Sequence, residues 1–371
     1  MKVVLIGLTH PFRGGISHFT TTFYHHLAGK HQVCLISFRR LYPAFLFPGK
    51  TQFDASVLSF TAQVSATIDA LNPFTWLTAV NTIRKFKPEQ VIFTWWSPVT
   101  AFCYSAIACL CRIFSFGKVI FYCHNVYPHE NHVGGRLLTR LTLRTADLFL
   151  TNSADNKQTL ASLFPDIPAV KAFHPLYDIF PKSGISQMVA RKKLSLNGNV
   201  ILFFGYIREY KGLAVLIRAM TRVLKKMDCR LVVAGEFYES KKNYDRLIAE
   251  EGLEGKVIFH DRYIPNEAVE QYFVAADAVV LPYIKASQSG IIQLSYHFGK
   301  PVITTNVGGL AETVKHGKTG YIIAADDPVV LADAIVEFYN NRKTIPFDQN
   351  IESIKSEFSW PALIRLVEEV R

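Results

Sequence analysis

Two cations stand at the start of a helix in the second half of the chain. Arg208 and Lys211 follow the apolar run 200–204, and Gly205 and Gly212 flank them. An arginine can bind two phosphate oxygens at once, a lysine supplies a point charge, and a helix N-terminus is electropositive. This spacing predicts a clamp for a phosphate or diphosphate group, in which Arg208 and Lys211 would neutralise a leaving group.

A second polar loop follows a later predicted strand, residues 278–282. It is rich in small and polar residues and leads into an apolar helix, so free backbone amides and side chains there can bind phosphates and hydroxyls. Glu236 ends another strand of the same half. The predicted ligand-binding set is Gly205, Glu236, Tyr263, Ser287, Gln288, Ser289, Gly290, Ile291 and Gln293.

In the first half, polar residues gather after the predicted strand 119–124. His124 ends this strand, Asn125 follows it, and His129 and Glu130 come after a proline. A histidine can hydrogen-bond a hydroxyl, and it titrates near neutrality. His124 is therefore a candidate catalytic residue, and His129 with Glu130 could accept a proton from an attacking hydroxyl.

A glycine pair follows the first predicted strand. Arg13, Gly14 and Gly15 open a helix there, where backbone N–H groups can approach an anion. The spacing is not that of the dinucleotide-binding fingerprint G-x-G-x-x-G. An ordinary strand-to-helix turn remains the alternative interpretation.

The composition is that of a globular protein with an uneven charge. The 371 residues are 49% hydrophobic and carry a net charge of +11, and residues 1–185 hold 17 Lys and Arg against 8 Asp and Glu. A basic half indicates an anionic partner, such as a lipid headgroup or a pyrophosphate. No nucleic-acid reader motif is present, so a nucleic-acid partner is not expected. Six cysteines without a C-x-x-C pair, and no recognisable signal peptide, lead us to expect a cytoplasmic protein.

The segment 38–50 mixes arginines and lysine with aromatic residues after the second predicted strand. Such a mixture suits a membrane interface, although a loop that covers the sheet edge would have a similar composition. With the basic first half, it suggests peripheral contact with an anionic membrane.

Strand and helix patterns alternate throughout the chain and restart near residue 200. This alternation predicts α/β architecture, with two doubly wound Rossmann-like domains of parallel sheet that face a central cleft. The expected domains are residues 1–185 and 186–371. The prediction leaves open whether the last helix, near 360–370, packs back on the N-terminal domain.

Together these loops resemble the family 4 retaining glycosyltransferases of the GT-B fold. The residues that carry the resemblance are Gly14-Gly15, His124-Asn125, Gly205, Arg208, Lys211-Gly212, Gly299-Lys300-Pro301-Val302, Gly308-Gly309 and Glu312.

The resemblance implies that the C-terminal domain holds a UDP- or GDP-linked sugar, with Arg208 and Lys211 on its diphosphate. It also implies that the N-terminal domain holds a saccharide or lipid-linked acceptor. The expected function is transfer of a hexose with retention, in cell-surface polysaccharide or glycolipid synthesis, on the inner membrane face. No cofactor is expected, and no metal either, because a D-x-D pair is absent.

One departure concerns the two glutamates that the family carries eight residues apart. Ala286 and Leu294 occupy these places, and Gln288, Ser289 and Gln293 are candidates to replace the lost carboxylates. Two alternatives therefore stay open: a nucleotide-sugar epimerase or hydrolase of the same fold, and an inert sugar-nucleotide-binding protein. A nicotinamide-dependent dehydrogenase is disfavoured by the missing glycine fingerprint.

Overall fold

The computed structural model describes residues 1–42, 51–56, 62–127 and 134–370. The chain divides into an N-terminal unit, Met1–Pro175 with Phe358–Arg371, and a C-terminal unit, Leu176–Glu357. The boundary thus lies ten residues before the predicted one. One reason is that the Glu270 carboxylate accepts hydrogen bonds from the backbone N–H groups of Ser183 and Gly184, which ties this segment to the C-terminal unit.

The N-terminal unit contains a seven-stranded sheet in the order β3-β2-β1-β4-β5-β6-β7, and all its neighbours pair in parallel. β4 and β5 are almost wholly buried, as expected for parallel strands that are covered on both faces. The strands are β1 (Lys2–Ile6), β2 (Gln32–Arg40), β3 (Val64–Asp69), β4 (Gln90–Trp95), β5 (Lys118–Cys123), β6 (Leu148–Thr151) and β7 (Ala169–Lys171).

Helices cover both faces of this sheet. The helices are α1 (Gly15–Ala28), α2 (Pro73–Phe86), α3 (Ala101–Ile113), α4 (Gly135–Leu143), α5 (Ala154–Leu163) and, from the end of the chain, α14 (Trp360–Glu369). Buried residues of α2, α3 and α4 share one core with the sheet. A second core joins α1 and α14, where the Trp360 ring lies 5.5 Å from the Phe19 ring.

The C-terminal unit contains a six-stranded parallel sheet in the order β10-β9-β8-β11-β12-β13. Its strands are β8 (Val200–Phe204), β9 (Arg230–Ala234), β10 (Val257–His260), β11 (Ala278–Leu281), β12 (Val302–Thr305) and β13 (Gly320–Ile323). Its helices are α6 (Gln187–Lys193), α7 (Leu213–Lys226), α8 (Lys241–Glu250), α9 (Asn266–Ala275), α10 (Gly290–His297), α11 (Leu310–Thr313), α12 (Pro328–Asn341) and α13 (Phe347–Ile354).

The strand order reverses once in each sheet, between β1 and β4 and between β8 and β11. Loops at the carboxyl ends of these strands diverge to opposite faces and leave a crevice, where ligands bind in doubly wound folds. The predicted fold class, two doubly wound α/β domains, is confirmed. Within the described ranges, no helix is long and apolar enough to cross a membrane.

Candidate functional site

In the C-terminal unit, the loops after β8 and β11 meet at the point where the strand order reverses. The β8 loop makes a 3-10 turn at Glu209–Lys211 and then enters α7 through Gly212, whose φ is 71°. A Cβ on Gly212 would lie 2.0 Å from the carbonyl oxygen of Pro282, in the β11 loop. Only glycine fits this close approach, which brings Arg208 and Lys211 beside the loop after β11.

The Lys211 ammonium lies at the centre of this arrangement. It is 3.5 Å from the point that a Cβ on Gly205 would occupy, and Ile291 Cδ1, in the first turn of α10, is 3.6 Å from the same point. The ammonium also lies 5.7 Å from the centre of the Tyr283 ring. Burial, with the nearby positive charge of Arg208, lowers the pKa of Lys211 to about 7.

The Arg208 guanidinium is held above an aromatic ring. Its Cζ lies 4.8 Å from the centre of the Tyr238 ring, and Tyr238 packs on Tyr206 with 4.5 Å between ring centres. This contact orients a half-buried cation near Lys211. Sequence reasoning missed Tyr206, Tyr238 and Tyr283. Each lies within four residues after the end of a predicted strand, and this position could have identified them as candidate site residues.

The polar loop before α10 is fixed largely by its own hydrogen bonds. Gln288 Nε2 donates to the carbonyl oxygen of Gly309, and Gln288 Oε1 accepts from the backbone N–H of Ser289. Ser289 Oγ accepts from the backbone N–H of Ile291 and so caps the helix. The carbonyl oxygen of Ser287 accepts from the backbone N–H of Gly309. The predicted ligand-binding side chains of Gln288 and Ser289 therefore also hold the loop in shape.

Gln293 differs from these loop residues. It is 0% exposed, and neither its amide oxygen nor its amide nitrogen has a hydrogen-bond partner among the described residues. Gln293 lies four residues after Ser289, the residue that caps the N-terminus of α10, so Gln293 is about one helical turn from the polar loop. A buried unpaired amide is unfavourable, and a ligand that supplies hydrogen bonds would relieve that penalty.

The three remaining predicted ligand residues of this unit occupy different places. Glu236 is 2% exposed and follows β9, the neighbour of β8, and its carbonyl oxygen accepts from the backbone N–H of Ile207. Tyr263 is half-buried in the loop after β10, the edge strand, two strands away from β8. Gly290 packs under the Tyr177 ring, because a Cβ there would lie 2.6 Å from a ring carbon.

In the N-terminal unit, His124 follows β5 and is 5% exposed. Its Nδ1 lies 3.5 Å from Asn152 Nδ2, its ring lies 4.5 Å from the Phe19 ring in edge contact, and its Nε2 has no partner among the described residues. Burial first, and then the neighbouring His174, hold the pKa of His124 well below its usual value. Burial lowers the pKa of His174 to about 4. Both rings are therefore neutral at physiological pH.

The glycine loop of this unit has the predicted strand-to-helix position. Gly14, with a φ of 104°, precedes α1, Gly15 is the first helical residue, and the backbone N–H of Arg13 donates to the carbonyl oxygen of Gln52. Asn125 is half-buried directly after His124. His129, Glu130 and residues 43–50 of the predicted membrane segment lie outside the described residues.

A metal site does not emerge from the part of the chain that the structure describes. No three of its His, Cys, Asp and Glu side chains are grouped so that they could hold an ion. Metal independence itself stays a prediction.

Comparisons with known proteins show what this chain is similar to. Residues 198–341 match the family Glycosyl transferases group 1. Among curated relatives, the D-inositol 3-phosphate glycosyltransferase of Corynebacterium diphtheriae is 26% identical over 65% of this chain and 59% of its own length. The enzyme of the same name from Corynebacterium efficiens is 30% identical over 61% of this chain and 56% of its own length. The chain thus matches under two thirds of the length of these relatives.

Two solved structures share the fold along the whole chain. Anabaena HepE, solved in complex with UDP, has a TM-score of 0.76 and 18% identity, with 100% of this chain and 99% of that chain covered. Sucrose-phosphate synthase from Thermosynechococcus elongatus has a TM-score of 0.74 and 17% identity, with 100% and 98% covered. At this identity the likeness establishes the fold.

Proposed function

We propose that this chain, which belongs through residues 198–341 to the glycosyl transferases of group 1, transfers a hexose from a UDP- or GDP-linked sugar. The acceptor is a saccharide or a lipid-linked saccharide, and the product enters cell-surface polysaccharide or glycolipid synthesis. The nucleotide sugar is a co-substrate, and no further cofactor takes part. The solved complexes of HepE with UDP and with UDP-glucose support a uridine nucleotide as the first donor to test.

One observation carries the proposal: the ammonium of Lys211 and the first turn of α10 converge on Gly205, with Arg208 close by. Breaking an anomeric bond leaves negative charge on the departing diphosphate. Two cations and the electropositive N-terminus of α10 can stabilise that charge in the transition state. This arrangement supports diphosphate departure as the catalysed step.

The stereochemical part of the proposal is retention. Ala286 and Leu294 supply no carboxylate at the positions where the family has its glutamates. A front-face attack, in which the leaving phosphate guides the acceptor hydroxyl, needs no protein nucleophile. Analysis of the anomeric configuration of the product by NMR spectroscopy tests this part directly, and an inverted product would refute it.

The N-terminal unit is proposed to hold the acceptor. His124 is neutral and its Nε2 is available, so the ring can hydrogen-bond an acceptor hydroxyl without carrying charge. The excess of basic residues in this half supports a location at the inner face of an anionic membrane.

The donor can be identified by a thermal-shift screen with UDP, GDP and their sugars. A nucleotide that binds only the folded state raises the melting temperature in proportion to the logarithm of its concentration. The stabilising sugar is then incubated with protein, with and without saccharide acceptors. Transfer only with acceptor supports the proposal, conversion of the donor alone indicates an epimerase or hydrolase, and binding without turnover indicates an inert binding protein.

Removal of divalent metal is expected to leave transfer unchanged. Arg208 and Lys211 stabilise the leaving diphosphate themselves, so a metal would add no required charge. The measurement is the initial rate after dialysis against EDTA, with added Mg²⁺ or Mn²⁺ as the comparison. A loss of activity that metal restores would contradict metal independence.

The rate is expected to fall as the pH rises above neutrality. The pKa of Lys211 is lowered to about 7, so this residue loses its positive charge earlier than an ordinary lysine. The donor kcat/KM, which reports free-enzyme groups, should fall about tenfold per pH unit above that point. Lys211→Arg keeps the positive charge, so kcat/KM of this variant should no longer fall above pH 7. If kcat/KM of the variant falls as in the wild type, deprotonation of Lys211 is not the cause of the fall.

A further inference from the structure

Exposed apolar side chains gather at one end of the N-terminal unit. Ten large apolar residues of the described part of this unit are exposed, and seven of them lie on or just before three helices. Six of the seven lie in or before the first half of their helix, and Leu141 lies in the last turn of α4. These seven, here called the apolar patch, are Leu71, Phe74 and Leu77 at α2, Val99 and Phe102 at α3, and Leu137 and Leu141 on α4. Phe74 is 79% exposed and Phe102 is 65% exposed, so these rings lie in water.

The topology brings the seven side chains to the same edge. A helix that follows a parallel strand begins at the carboxyl end of that strand, so α2, α3 and α4 all start at one edge of the sheet. α3 packs against both α2 and α4. Between α3 and α4, the hydroxyls of Ser105 and Thr142 lie 2.8 Å apart. The apolar patch is therefore continuous across three adjacent helices, and exposed apolar surface of this kind marks an interaction site.

The charged side chains on the three helices of the apolar patch are all basic. α2, α3 and α4 contain no aspartate and no glutamate. Arg136, Arg140 and Arg144 recur at four-residue intervals along α4, so they form one stripe on its surface, and all three are exposed. The Arg136 guanidinium lies 5.8 Å from the centre of the Tyr127 ring.

We infer that the apolar patch and the arginine stripe of α4 form a docking surface for an anionic lipid bilayer. Exposed Phe and Leu side chains can enter the boundary between headgroups and acyl chains, while arginines bind lipid phosphates at the surface. A bilayer matches both features at once, since it offers an apolar interior beneath a negatively charged plane. This surface differs from the segment 38–50 that the sequence suggested.

Docking in this way directs the carboxyl edge of the N-terminal sheet toward the lipid. His124 follows β5 at that same edge. If the acceptor is lipid-linked, as in the proposed function, the acceptor loops then lie on the membrane side. Bilayer binding itself does not depend on the transfer reaction, because it requires neither donor nor acceptor.

The test is co-sedimentation of the full chain with vesicles of phosphatidylcholine alone or mixed with phosphatidylglycerol, without nucleotide. Wild-type protein should bind the mixed vesicles, and binding should weaken as salt is added. Phe102→Ser should reduce partitioning about tenfold through lost apolar burial. The double change Arg136→Gln with Arg140→Gln should reduce it about twenty-fivefold, given roughly fivefold for each arginine.

Two matched controls sharpen this test. Phe114 lies at the opposite end of α3 and is 58% exposed, so Phe114→Ser removes an exposed ring outside the patch. The second control is the double change Arg218→Gln with Arg222→Gln. These two arginines lie four residues apart on α7 in the C-terminal unit, and both are exposed. Binding that the controls leave unchanged supports the surface. No wild-type binding to the anionic vesicles, or equal losses in the controls and the patch variants, would overturn it.

Discussion

Replacing Arg208 with alanine, or Lys211 with methionine, is expected to lower kcat by about a hundred- to a thousandfold, the usual effect of removing one group that stabilises charge in a transition state. In the proposed mechanism both cations stabilise charge that grows as the diphosphate leaves, so kcat should fall by a larger factor than donor KM rises. Methionine keeps the apolar stem of Lys211 between Gly205 and Tyr283, so packing is largely preserved. Steady-state kinetics with the donor identified by thermal shift measure the effect.

A lysine in the neighbouring loop provides the control for this prediction. Lys285 lies after β11 and is exposed, so Lys285→Met also removes one positive charge but leaves the Lys211 ammonium in place. This variant should keep kcat within about twofold, since exposed charges contribute little. Unfolding curves of all variants separate lost catalysis from lost folding. Near-wild-type kcat in a folded Arg208 or Lys211 variant would remove the basis of the proposed function.

The strands that the sequence predicted well are short apolar runs between turn signals. The sequence predicts strands at residues 90–95, 148–151, 200–204, 230–234 and 257–260, and these are the bounds of β4, β6, β8, β9 and β10. The missed strands, β3 and β13, are at sheet edges. β3 is mostly half-buried and lacks a clear period, and β13 is four residues long and starts at a glycine, so neither has a distinctive pattern.

The candidate site could be predicted as a set of loops but not as a geometry. Loops after parallel strands meet at one edge, which is why Arg208, Lys211 and the α10 loop could be grouped from sequence. Contacts such as Arg208 over Tyr238 depend on where separate strands lie in the sheet, and no local pattern encodes them. The neutral state of His124 likewise depends on burial beside His174, which is 50 residues away in sequence.

A residue that binds the donor at the expense of stability should show effects of opposite sign when it is replaced, and we propose that Gln293 is such a residue. Gln293→Met keeps the volume of the side chain and removes both unpaired amide atoms. The folded state should gain about 1–3 kcal/mol, which corresponds to a rise of several degrees in melting temperature. In the same variant, donor KM should rise about tenfold, because a ligand loses its hydrogen bonds to the amide.

Gln90 supplies the matched control for this pair of effects. It is also 0% exposed, but it lies in the N-terminal unit and its Nε2 donates to the carbonyl oxygen of Val367. The Oε1 of Gln90 has no hydrogen-bond partner among the described residues, so Gln90→Met removes one unpaired oxygen and breaks one hydrogen bond. These two effects on stability oppose each other, so the melting temperature should rise less than in Gln293→Met, while donor KM stays constant. Melting temperatures without nucleotide, and donor KM for both variants, decide between the roles of Gln293. A higher melting temperature with unchanged KM would show that the donor does not reach Gln293, and a lower melting temperature would show that the amide serves the fold.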